Sequence, residues 1–321
     1  MIGLNYAWEL IKRPAALIRS RRWNRYSRLM IRGDSSGWVL DEYAKELGTM
    51  VESLGVQSAD SEYYKASRNQ VVFYTSKYFL LKWRKSTHRV TFPYFHGDPR
   101  IDPGNAPLFR SIVSHKDDIS RIQVSHTQLE TLLLDSGLPC EKVHRIPIAI
   151  NLGLFSLKTR QAKESAREKF GIPKSAVVIG SFQKDGIGFM AGNQPKLIKG
   201  PDALIEVARI LKGRVNELHF LLTGPARGYV KAGLKEIGIP YTHTYVEEYA
   251  DLTKCYHALD LCLISSREEG GPMALMEGMS SGVPIVSTPV GMATDFIING
   301  ENGAVSEIIS PESLADSILH V

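Results

Sequence analysis

Two glutamates, Glu269 and Glu277, are separated by seven residues in the stretch Ser265–Thr288, and Gly270, Gly271 and Pro272 follow directly on the first of them. The apolar run Leu261–Ile264 just before this stretch has the length of a buried strand, and the residues from Met273 onward suit a helix. Proline at the entry of that helix does no harm, because an N–H there would have no intrahelical partner. The amides of the first turn point out of the helix, and the helix dipole adds positive potential, so the spot suits a phosphate. Gly270, Gly271, Pro272, Met273 and Ala274 are accordingly candidate binding residues. Glu269 precedes the helix and Glu277 lies one to two turns into it, a spacing that could offer one carboxylate to a sugar and the other to the hydroxyls of a ribose.

Such a loop needs a sheet to hold it. Short β-branched runs alternate with amphipathic helical stretches along the chain, the mark of a parallel sheet wrapped by helices. In the first half a strand at Leu29–Ile31 leads through a turn containing Gly37 to a helix from Val39 to Leu54. Further strands are expected at Val71–Tyr74, Arg89–Phe95, Ile122–Ser125 and Val143–Ile148, with a helix starting near Thr127. A polar, charged segment, Asn151–Lys169, interrupts the rhythm and marks the expected domain boundary, dividing the chain into 1–153 and 154–321. The rhythm then restarts with strands at Val177–Ile179, Leu218–Leu222, Thr242–Val246, Leu261–Ser265 and Pro284–Ser287, a helix from about Asp202 to Leu211, and a last helix starting near Glu312. Two successive doubly wound α/β domains account for this order, and ligands of such sheets bind outside the carboxyl ends of the strands, here in a cleft between the domains.

Composition excludes several classes. The 321 residues are 43% hydrophobic and 23% charged, which argues against a disordered or disulfide-stapled chain. Cys140, Cys255 and Cys262 lack metal-ligand spacing and read as buried small hydrophobes in a reducing compartment. No apolar run reaches the roughly 18 residues of a membrane span, and no secretory leader is visible, so a cytoplasmic location is expected. The net charge of +5 is unevenly placed: eight basic residues and no acidic one lie between Lys12 and Arg32, with Leu17, Ile18 and Trp23 among them. This is either a solvated arm or a surface that meets anionic lipid at the inner face of a membrane. No nucleic-acid recognition module accompanies the charge.

The pattern Glu269, Glu277 and Gly282-Val283-Pro284-Ile285-Val286 resembles the family 4 retaining glycosyltransferases of the GT-B fold. Ile179-Gly180, Lys199-Gly200, Leu221-Leu222-Thr223-Gly224-Pro225, Asn299–Gly303 and, in the first half, Phe95-His96-Gly97 extend the resemblance over most of the chain. It implies a sugar transferred from a nucleoside diphosphate donor, UDP- or GDP-linked, to a glycan or lipid-linked acceptor with retention at the anomeric carbon. It also implies a catalytic set of Glu269, His96 and Lys199: Glu269 at the sugar hydroxyls, His96 facing the sugar and Lys199 on the diphosphate. Glu277 would hold the ribose, and Gly37 would let backbone approach the donor or acceptor. No Asp-x-Asp pair occurs in the chain, so no metal or other cofactor is expected, and fixed cations with helix amides would stabilise the leaving group. The family usually has arginine after the glycine aligned with Gly180; Ser181 stands here, and Lys184 and Lys196 are the nearest substitutes. Each assignment has an ordinary counterpart: Glu277 as an exposed helix residue, Glu269 as a favourable charge at a helix start, His96 as a loop histidine, Lys199 and Lys184 as surface cations. A nucleotide-sugar epimerase and a non-catalytic subunit of the same fold remain as alternatives.

Overall fold

A computed structural model of the chain describes residues 29–33, 39–56, 58–60, 69–82, 87–188 and 190–321. Gly37 and most of the basic stretch from Lys12 to Arg32 lie outside the described residues. The chain divides into two compact units: one runs to Val124 and includes Gln128–Ile146, and the other comprises Ser125–Thr127 and Pro147–Val321.

In the first unit the elements are β1 (Leu29–Arg32), α1 (Val39–Ser53), β2 (Ser58–Asp60), β3 (Val71–Tyr74), β4 (Arg89–Pro93), α2 (Ala106–Ser114), β5 (Ile119–Val124), α3 (Thr127–Asp135) and β6 (Val143–Arg145). The six strands are all parallel in the order β2-β1-β3-β4-β5-β6. Val72, Val90, Phe92, Ile122 and Val124 of the central strands are fully buried against Leu108 and Ile112 of α2 and Leu129 and Leu133 of α3.

The second unit contains α4 (Arg160–Phe170), β7 (Val177–Ser181), α5 (Pro201–Lys212), β8 (Leu218–Thr223), α6 (Gly228–Ile237), β9 (Tyr241–Thr244), α7 (Leu252–His257), β10 (Leu261–Ile264), α8 (Met273–Ser280), β11 (Ile285–Ser287), α9 (Ala293–Phe296), β12 (Gly303–Val305) and α10 (Pro311–His320). Its strands are parallel in the order β12-β11-β10-β7-β8-β9, so the strand order reverses between β7 and β10. Every residue of β8 and β10 is buried, as expected for strands covered on both faces. One core lies on each side: α4, α7 and α8 pack over Val178, Leu221 and Cys262, while α5, α6 and α10 pack over Ile179, Phe220 and Leu263.

The fold is thus two doubly wound Rossmann-like units. Two details depart from the sequence reading. The polar segment 151–169 is not all connector: Thr159 caps α4 through its hydroxyl, which accepts from the Ala162 amide at 3.1 Å, and Gly171 ends the helix with φ +64°. Of the cysteines, Cys255 and Cys262 are buried, but Cys140 is exposed, because it opens a short 3-10 turn after Pro139 in which no residue is buried.

Candidate functional site

The reversal of strand order between β7 and β10 leaves a crevice-forming point at their carboxyl ends. The loops leaving the two strands are tied together there. Gln183, just past β7, donates from Nε2 to the Lys199 carbonyl at 2.7 Å and accepts from Ser266 Oγ at 3.2 Å. Arg267 forks onto Asp202 at 2.8 and 2.7 Å, joining the β10 loop to the first turn of α5. Gly200, with φ +62°, allows this closeness: a Cβ there would lie 1.8 Å from the Ser265 carbonyl oxygen.

Within this frame Lys199 Nζ donates to Glu269 Oε1 at 2.6 Å, and Ser266 Oγ donates to the same oxygen at 2.8 Å. The pair is largely enclosed, with 23% of the lysine and 13% of the glutamate side chain exposed. Lys199 is therefore not an isolated surface cation. Gly270, Gly271 and Pro272 lead from Glu269 into α8, whose N-cap is Pro272 and which has no side-chain cap, so Met273 and Ala274 occupy its first turn. Gly291, with φ +51°, packs under the loop, since a Cβ would meet the Glu269 carbonyl oxygen at 2.5 Å.

Glu277 is only 3% exposed, contrary to an exposed helix residue. Both carboxylate oxygens are engaged, Oε1 by the Tyr249 hydroxyl and Oε2 by the Tyr256 hydroxyl, each at 2.6 Å. Burial pushes its carboxyl above the usual range, and the two phenols pull in the opposite direction. The Tyr256 phenol is driven well above its ordinary value by complete burial and then by the neighbouring Glu277 charge.

Cations gather beside Lys199. Residues 185–187 and 194–196 run side by side through the Gly186–Pro195 bridge and the bonds from Ile187 N to Gln194 O and from Lys196 N to Asp185 O, which puts Lys184 and Lys196 at the same end of this pairing. Partial burial and then repulsion from Lys199 and Lys184 lower the pKa of Lys196. The segment is anchored by a fully buried pair, Arg227 with Asp185 at 3.0 Å. The Arg227 guanidinium also donates to the Ser181 carbonyl at 2.6 Å, to its hydroxyl at 3.0 Å and to the Thr223 carbonyl at 2.9 Å. An arginine thus does reach Ser181, but from α6's N-cap and wholly inside the protein, where it cannot meet a phosphate.

In the first unit, His96 is exposed just beyond β4. The buried Lys77 ammonium lies 3.2 Å from His96 Nδ1, donates also to the His96 carbonyl, and sits 4.8 Å from the centre of the Tyr94 ring. Gly97, with φ +112°, makes room, for a Cβ would stand 2.7 Å from Lys77 Nζ. Among the described residues no group of three or more His, Cys, Asp or Glu could hold a metal ion, and no helix is long and apolar enough to cross a membrane.

Tyr249, Tyr256, Arg227 and Lys77 escape sequence reasoning. Each is far in sequence from its partner, and an isolated Tyr, Arg or Lys carries no spacing signal.

The two Rossmann-like units match those of GT-B fold structures, and the comparisons relate the chain to the group 1 glycosyltransferases. Residues 184–321 match the family model described as glycosyl transferases group 1. The chain is 25% identical over 239 residues to D-inositol 3-phosphate glycosyltransferase of Corynebacterium urealyticum, covering 69% of this chain and 52% of that protein. It is 26% identical over 228 residues to mannosylfructose-phosphate synthase of Agrobacterium fabrum, covering 66% and 48%. The chain spans about half the length of these curated relatives. Among solved structures, sucrose-phosphate synthase from Thermosynechococcus elongatus superposes with a TM-score of 0.71 at 14% identity, covering 91% of this chain and 89% of that one. Anabaena Alr3699/HepE in complex with UDP and glucose gives 0.68 at 15% identity, with the same coverages.

Proposed function

We propose that the protein is a metal-independent, retaining glycosyltransferase of family 4 that moves a hexose-type sugar from a UDP- or GDP-linked donor to a glycan or lipid-linked acceptor. The observation that carries this reading is the Lys199–Glu269 pair beside the opening turn of α8, at the reversal point of the second sheet. Three lysines, 184, 196 and 199, and the amides of Met273 and Ala274 offer positive potential to a diphosphate. Glu269, separated from that turn by Gly270, Gly271 and Pro272, takes sugar hydroxyls, and Glu277 takes the ribose.

In the reaction the bond between the anomeric carbon and the donor's phosphate oxygen breaks, and the bonding electrons leave with the diphosphate. The acceptor hydroxyl attacks from the same face, and its proton passes to the departing phosphate oxygen. Positive charge on the ring and negative charge on the leaving group are stabilised by Glu269 and by the lysines, respectively. His96 contacts the transferred sugar. Its Nδ1 faces the Lys77 ammonium, an arrangement suited to a neutral ring with its proton on Nε2. Gly37 keeps its assignment to the donor or acceptor, and the basic stretch that includes Arg19, Arg21 and Arg22 is assigned to anionic lipid.

Incubation with labelled UDP-glucose and GDP-mannose and an acceptor panel tests the reading. Transfer that persists in EDTA and is lost in Glu269→Ala is expected; full activity of that variant, strict dependence on added manganese, or epimerisation in place of transfer would reject it. Flotation with phosphatidylserine vesicles is expected to fall when residues 1–27 are removed, and unchanged flotation would remove the membrane contact.

A further inference from the structure

Glu277 is a buried carboxylate, and a buried acceptor left without a donor is costly, so something must satisfy each oxygen whether or not a ligand is bound. The two phenols that do so stand in unlike surroundings. Tyr256 is on α7, fully buried, with its ring edge-on to Phe182 at 4.8 Å and to Phe155 at 6.1 Å. It is built into the core and fixes Oε2. Tyr249 is 44% exposed. It begins a three-residue 3-10 turn, Tyr249–Asp251, that has no side-chain cap and no buried residue, at the end of an exposed run from Glu247 to Ala250. Its ring meets Phe155 edge-on at 5.5 Å.

We propose that Tyr249 is an exchangeable stand-in: its hydroxyl occupies Glu277 Oε1 until the ribose of a nucleoside diphosphate takes that oxygen over, and the turn Tyr249–Asp251 swings outward as it does. The inference rests on the assignment of Glu277 to the ribose. The exchange is one hydroxyl donor for another, so Glu277 keeps two hydrogen bonds throughout, and no bond is gained at Oε1 on binding. Removing the phenol's oxygen removes the competitor. Tyr256 is a positioning residue, whose hydrogen bond holds the carboxylate so that Oε1 is the oxygen presented.

The experiment is calorimetric titration of the full chain with UDP and with GDP, in the wild type and in Tyr249→Phe, Tyr256→Phe and Glu277→Gln, alongside hydrogen exchange of residues 245–251. Tyr249→Phe should bind the preferred nucleotide about three- to tenfold more tightly, the span of one modest hydrogen bond. Tyr256→Phe and Glu277→Gln should bind it more weakly, and nucleotide should speed exchange at 245–251 in the wild type. If Tyr249→Phe binds equally or more weakly while Glu277→Gln is impaired, the stand-in role is overturned and the ribose assignment survives. If Glu277→Gln binds as well as the wild type, or no protein binds either nucleotide, the ribose assignment itself fails and the stand-in role fails with it. Slower exchange at 245–251 on binding would also overturn it, since the turn would then be closing on the ligand.

Discussion

At the scale of single residues, the chemistry depends on how few groups share the space beside Glu269. Lys199 and Ser266 both donate to one oxygen, Oε1, so the carboxylate is oriented before any substrate arrives. A cation that already holds a carboxylate can also serve a phosphate, because an ammonium has three donors. On the proposed assignment of Lys199 to the diphosphate, Lys199→Met should raise the donor KM by about tenfold or more and lower kcat as well, because it would remove charge from the leaving group and orientation from Glu269. Steady-state kinetics in donor concentration check this; an unchanged donor KM would separate Lys199 from the diphosphate. The motif made Glu269 and Glu277 visible in the sequence, because the spacing of acid, glycine loop and helix start is local, whereas Lys199 was singled out only through the resemblance carried by Lys199-Gly200. The partners of those residues were not visible. Tyr249 and Tyr256 reach Glu277 across 28 and 21 residues, and Arg227 reaches Ser181 across 46. Such pairings are set by the sheet order and leave no periodic trace. The ordinary reading of Glu277 as an exposed helix residue failed for the same reason: one short helix, Met273–Ser280, does not reveal which of its faces the tyrosines cover.

Elements carry these residues into place through close backbone approach, and the turn between Lys199 and α5 is the tightest case. Gly200→Ala should destabilise the fold by about 1–3 kcal/mol through a left-handed φ and a clash with backbone. It should also raise the donor KM, because Lys199 is its neighbour. Gly213→Ala, at the other end of the same helix with φ −90° and no atom within 4 Å of the added Cβ, should change stability by less than about 0.5 kcal/mol. Thermal melts and donor kinetics of the two variants make the comparison, and equal effects would refute the steric account. Most elements were legible because the strands read as apolar runs: Val71–Tyr74, buried at alternate residues, was located to the residue, and β8 and β10, covered on both faces, to within one. The polar helix Arg160–Phe170 was not, because only Ala166 and Arg167 are buried and no apolar stripe exists to be read. The threonine cap before it and the glycine after it were the signals available. The three-residue strands Ser58–Asp60 and Gly303–Val305 are edge strands too short to show a pattern.

For the molecule as a whole, stability resides in two units with separate cores, and the second has an electrostatic pin at the amino ends of β7 and β10, the edge of the sheet opposite the loops that carry Lys199 and Glu269. Asp260, just before β10, accepts from Lys163 at 2.5 Å, from Arg167 at 2.7 Å and from the Val178 amide at 2.7 Å, so it ties α4, β7 and β10 together. Burial works to raise its pKa, but the bonds from Lys163 and Val178 and the charge of Arg167 outweigh it and hold the carboxyl below its ordinary value. A group whose folded pKa is depressed contributes stability that is fully present above its unfolded pKa of about 3.9 and is lost as pH falls through the folded value. Asp260→Asn should therefore cost the second unit on the order of 1–3 kcal/mol near pH 7, with Arg167 left buried and short of its partner. The gap between variant and wild type should hold through the mildly acidic range and close only once the wild-type carboxylate is itself protonated. Urea unfolding of both proteins from pH 7 to pH 3 measures it. A gap of constant size across that range would mean that Asp260 acts by shape alone, and the ion pairs would then contribute nothing to how α4 is held against the amino ends of β7 and β10.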